Sequence, residues 1–132
     1  MALAQRPDAK RRPVYLDLPR IRLPLPGFVS ILHRASGALL FLVGIPALLW
    51  GVEASLTSPE AYAAFRAFMA HAIAKLVAIA LAWAYLHHLF AGIRHLLLDV
   101  HVGLELKAAR LSATVVLVAA LLLTLMLAVR LW

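Results

Sequence analysis

Histidine, arginine and glycine recur at helical spacing inside two strongly apolar stretches. These are Ser30-Ile31-Leu32-His33-Arg34-Ala35-Ser36-Gly37 and His88-Leu89-Phe90-Ala91-Gly92-Ile93-Arg94-His95-Leu96-Leu97-Leu98-Asp99. Residues at i, i+3, i+4 and i+7 share one helix face. Ser30, His33, Arg34 and Gly37 have that spacing, and His88, Gly92, His95 and Asp99 carry a similar stripe over three turns. Ionisable side chains are costly in lipid and are held there by a bundle interior, a cavity or a ligand. The two stripes are therefore expected to face each other or a common partner.

His88 is the deepest of these groups, seven residues before His95 and so roughly 10 Å further along a helix. Burial disfavours the imidazolium, which leaves a neutral ring able to bind metal. The chain has no cysteine and no clustered carboxylates, so haem iron is the best candidate metal for His88. Gly92, one turn on, would leave room for a flat macrocycle. The competing reading is a histidine hydrogen-bonded to a neighbouring helix. His87 points about 100° away from this face and is expected to bond a neighbouring helix. His95, near the membrane edge, could bond Asp99 or a haem propionate. His71 and His101 are given no role. Arg34 is always charged and offers five donors, enough to hold a quinone carbonyl, a reduced quinone's anion or a propionate. It cannot supply protons, so Ser30, a water chain or a partner's group must relay them. The competing reading for Arg34 is snorkelling to lipid head groups.

The elements that position these residues are membrane helices. Of 132 residues 64% are apolar and only 14% charged, and mean hydropathy is +0.92, far above the norm for a soluble domain. The predicted fold is all-α integral membrane. It has a proline-rich basic arm at 1–27 and a three-span domain at 28–132, with spans near 28–52, 68–97 and 111–132. Pro46 is expected to kink the first span. Ser58-Pro59-Glu60 reads as a helix start, with the helix expected to run on into span two, and Arg94 to Arg110 as a polar connection. The N-terminus does not read as a signal peptide. Net charge is +7, and seven of the thirteen basic residues lie at or before Arg34. That clustering fits lipid head groups rather than nucleic acid, and it places the N-terminus and second loop in the cytoplasm.

At these same residues the chain resembles the cytochrome b subunit family of succinate dehydrogenase, the larger membrane anchor of respiratory complex II. Arg12-Pro13-Val14-Tyr15-Leu16-Asp17-Leu18, then Ser30-x-x-His33-Arg34-x-Ser36-Gly37, is similar to one family signature. His88-x-x-x-Gly92-Ile93-Arg94-His95 with Asp99 is similar to a second. Leu98 and His101 depart from it, which bears on the loop beyond the proposed ligand. The resemblance implies an inner-membrane subunit with no catalysis of its own. It would complete a helical bundle with a second small anchor, beneath an iron–sulfur subunit and a flavoprotein that oxidises succinate. It also implies haem b shared between the anchors, with His88 as one axial ligand and His33 near the propionates. Ser30 and Arg34 would line a ubiquinone pocket. The alternative is a haem-free structural anchor of the same kind of complex. A small transporter is a weaker alternative, because polar stripes occupy only one half of the spans.

Overall fold

The computed structural model describes residues 22–132, so most of the expected proline-rich arm, with Arg12 to Leu18, lies outside the described residues. Helix α1 (Leu25–Leu39) starts with Pro26 in its first turn, where a missing N–H costs nothing, and the Pro24 carbonyl accepts from the Gly27 and Phe28 amides. A π-helical turn (Leu40–Gly44) joins it to α2 (Ile45–Thr57), making one long span. The π turn sits where proline chemistry requires it. Pro46 has no N–H, and its ring would crowd the Leu42 carbonyl in a regular helix. The wider turn, closed by the Ile45 amide on the Leu40 carbonyl, relieves that crowding.

The helix predicted to begin at Ser58-Pro59 does so. The Ser58 hydroxyl accepts from the Ala61 amide at 3.1 Å. Glu60 in the first turn has its carboxyl held below the usual carboxylate range, first by its own backbone N–H and then by the Ser58 hydroxyl. This helix does not run on into the next span. Helix α3 (Pro59–Ala70) stops at an extended His71, and α4 (Ala72–Asp99) starts afresh. Neither proline nor glycine marks the break. Packing decides it: Phe65 and Phe68 of α3 fold edge-on against Trp50 of α2, both at 5.2 Å between ring centres.

Helix α4 packs against α1 on one side and α5 (Leu106–Leu131) on the other. Small residues set how closely they approach: Ala84, Ala91, Ala113 and Ala120 are fully buried. Val29, Ala91, Ala113 and Val116 form the core at the end of the bundle where α1 begins, with Phe90 and Leu117 packed over it. Thr124 returns its hydroxyl to the Ala120 carbonyl at 2.7 Å and so leaves no polar group unsatisfied in lipid. Most large apolar side chains face outward, as lipid-facing helices require. The fold is all-α and membrane-spanning, with three apolar spans at 25–57, 72–99 and 106–131.

Arg94 belongs to α4 rather than to a polar connection, because α4 continues to Asp99. The helix then closes through two crossed bonds, from the His101 amide to the Leu98 carbonyl (3.0 Å) and from the Val102 amide to the Leu97 carbonyl (2.9 Å). This is a Schellman closure, whose left-handed position glycine normally fills. Here His101 fills it, with φ +64°. A left-handed backbone costs an L-residue roughly 1–2 kcal/mol. His101→Gly is therefore expected to stabilise the loop by about 1 kcal/mol and raise the thermal midpoint of the assembled protein. His101→Val, β-branched at the same φ, should lower it.

Candidate functional site

The two polar stripes meet through histidines. His33 of α1 stacks on His88 of α4, with ring centres 4.2 Å apart and planes 18° from parallel. His95 leans on the other side of His33 at 5.1 Å. Among the described residues no three such side chains form a metal-binding cluster, so the chain presents individual imidazoles rather than a closed cage.

His88 carries the most specific geometry. Its Nδ1 lies 3.0 Å from the His33 backbone carbonyl and 3.3 Å from the Ser36 hydroxyl. Ser36 already donates its own proton to the same carbonyl at 2.9 Å. A carbonyl can only accept, so the proton of a neutral His88 sits on Nδ1 and donates there. Nε2 keeps its lone pair and has no hydrogen-bond partner among the described residues. Metal-ligating histidines have their tautomer fixed in this way, by the bond the other nitrogen makes. Ser36 was not singled out as a site residue, although its place three residues after His33 was the available signal.

Glycine makes the approach of the two helices possible at Gly37. A Cβ on Gly37 would lie 2.7 Å from Cε1 of His88, closer than real contacts allow. A Cβ on Gly92 would come no nearer than 3.5 Å to Nε2 of His33, an ordinary contact. Gly92 lies beside the His33 ring, whereas Gly37 is the residue that must stay bare.

The stripes do not meet along their whole length. Arg34 is exposed and Ser30 half-buried, and neither hydrogen-bonds to α4. Asp99 is exposed, and His95 makes no hydrogen bond to it. The most buried face of α4 carries Ala84, His87, Ala91 and Arg94, while His88, Gly92 and His95 lie half-buried on the rim. His87, expected to bond a neighbouring helix, is fully enclosed and stacks on Trp83 at 5.3 Å. Its ring faces the Val29 backbone, yet among the described residues neither nitrogen reaches a partner in hydrogen-bonding geometry.

Known membrane subunits of one kind are similar to the chain over most of its length. A sequence profile of the family described as succinate dehydrogenase/fumarate reductase transmembrane subunit matches residues 8–127. The succinate dehydrogenase cytochrome b556 subunit of Paracoccus denitrificans is 35% identical over 102 residues, covering 77% of this chain and 78% of that one. The protein of the same name from Coxiella burnetii is 33% identical over 123 residues, 92% and 98% of the two chains. That from Rickettsia felis is 32% identical over 117 residues, 89% and 90%.

The two glycines should respond differently to alanine. Helix propensity alone favours alanine by up to about 1 kcal/mol at both sites. Gly92→Ala should be neutral or mildly stabilising in thermal unfolding of the assembled protein. Gly37→Ala must push His88 aside and should cost about 1–3 kcal/mol, the usual range for overpacking. Equal effects at the two positions would contradict the His88–Gly37 contact.

Proposed function

The chain belongs to the succinate dehydrogenase/fumarate reductase transmembrane subunit family, and on that premise we propose that it anchors the enzyme, holds half of a haem b site and forms part of a ubiquinone site. The observation that carries the haem reading is the Nδ1 contact of His88 with the His33 carbonyl, which leaves Nε2 as the free ligand atom. His88 would be one ligand to the haem iron, with the second from a partner anchor. His33 and His95, ring to ring beside it, would hold the propionates. Haem b, when bound, supplies a one-electron redox centre in the membrane.

Ser30 and Arg34 lie one turn apart on α1, at the end of the bundle that carries the histidines. Arg34 would bind a quinone carbonyl and stabilise the negative charge that gathers on its oxygen during reduction. The Ser30 hydroxyl would donate a hydrogen bond and pass on a proton. The overall exchange balances. A flavoprotein subunit removes two electrons and two protons from succinate to give fumarate, an iron–sulfur subunit carries the electrons, and the quinone gains two electrons and two protons. This chain performs no step alone. The distribution of lysine and arginine favours an inner-membrane topology with the N-terminus in the cytoplasm, where the soluble subunits would dock.

A second reading, a haem-free anchor, is favoured by the His33 stack, which already gives His88 a packing role. The pyridine haemochrome spectrum of the purified complex separates the two: one b-type haem per complex is expected, and none would leave only the anchor. His88→Leu should abolish the bis-histidine absorption, and an unchanged spectrum would remove His88 as ligand. Ser30→Ala and Arg34→Leu should lower quinone reduction about tenfold or more while sparing succinate oxidation by an artificial acceptor, a selective loss of about 1.4 kcal/mol in transition-state stabilisation. Equal loss in both assays would indicate failed assembly instead.

A further inference from the structure

Arg94 is a full positive charge buried to 6% exposure between α4 and α5, and among the described residues no carboxylate faces it. Its Nε donates to the Ser112 hydroxyl at 3.0 Å and one terminal nitrogen to the Ala109 carbonyl at 3.4 Å. Ser112 in turn donates to that same carbonyl at 3.1 Å. Two of the five N–H donors of the guanidinium are thereby used, and both partners are neutral. An uncompensated cation in a low-dielectric setting is costly and attracts an anion.

The surroundings specify what kind of anion. Arg94 and Ser112 form the polar part of the wall of an otherwise apolar groove of about 510 Å³ between α4 and α5, lined along its length by Phe90, Leu97, Val115 and Ala119. Lys107 and Arg110 stand exposed in the first turns of α5 at the same end. Asp99 and Glu105 nearby are exposed and do not pair with Arg94. A neutral quinone would satisfy the groove but leave the charge uncompensated, and a free phosphate would satisfy the charge but leave the groove empty. We propose that this groove is a binding site for an anionic phospholipid, with its phosphate on Arg94 and an acyl chain along the cleft between α4 and α5. Basic pockets between membrane helices bind such head groups by the same logic. The site is independent of the His88 face and does not rest on the haem or quinone reading.

The test uses the purified complex, stripped of lipid in detergent and then equilibrated with mixed micelles of dioleoyl phosphatidylglycerol or dioleoyl phosphatidylcholine. Retained lipid is counted by native mass spectrometry. The wild-type complex should hold phosphatidylglycerol at least tenfold more tightly than phosphatidylcholine, and Arg94→Gln should erase that preference. Val115→Trp fills the groove while keeping Arg94, and Val115 is 56% exposed, so the fold accommodates the larger ring. It should lose the retained phosphatidylglycerol as well. No preference in the wild type, or wild-type retention in either variant, overturns the proposal. If Arg94→Gln does not assemble, Val115→Trp decides alone. A photo-reactive side chain at position 115 should capture lipid, and capture of a protein subunit would show the groove to be a protein contact and overturn the lipid assignment.

Discussion

A histidine inside a membrane gains from a partner for each ring nitrogen, because lipid offers neither donor nor acceptor. His88 settles one of them on the backbone of α1. Helix carbonyls are engaged in their own ladder, but each oxygen has a second lone pair. The His33 carbonyl uses its spare capacity for the Ser36 hydroxyl and His88 Nδ1 together. Such a bond demands near-contact between two helices, and Gly37 supplies it by having no side chain where Cε1 of His88 comes to rest. The His33 stack and a proton-free Nε2 follow from that one contact. If the approach is blocked, the ring has no acceptor and no fixed tautomer.

Adjacent positions on α4 divide the work by burial. His87, fully enclosed and stacked on Trp83, behaves as a flat packing group between helices. His88, one residue on, lies on the rim. The small residues Ala84 and Ala91 continue the enclosed face, and α1 and α5 pack closely over them. The rim face stays open to whatever covers the bundle in its assembly. A ligand shared between two chains needs that arrangement, since a ring sealed in the core could not reach a second subunit's group.

Much of this was legible in the sequence. Three apolar runs of membrane length, a proline–serine helix start at 58–59 and the 3–4 residue spacing of the two stripes follow from periodicity and side-chain chemistry. What was not legible depends on tertiary contact. The break at His71 has no local signal, because it arises from aromatic residues of α3 packing back on Trp50. Periodicity located His87 off the His88 face but could not say which of the two faces was the core. Arg94 read as the start of a polar connection because arginine usually marks a membrane edge, and only its bonds to Ser112 and Ala109 explain why it lies inside. The close contact at Gly37 was not legible either, since it depends on where two helices cross.

Arg34 and Arg94 lie at the same end of the bundle and are treated in opposite ways. Arg94 is turned inward and partly satisfied by its own chain. Arg34, nine residues into α1 and roughly 14 Å along its axis, is left exposed on a helix whose other exposed residues are apolar. An arginine can snorkel to head groups only over the length of its side chain, so one placed this far along a span is best accommodated by a polar surface beside it. The neighbouring Ser30, half-buried on the same face, extends that requirement by a further turn. The chain thus turns one cation inward between its own helices and leaves the other on its outer face. A bundle that ended at these three spans would carry a polar edge facing lipid, a cost that a polar surface beside α1 would relieve.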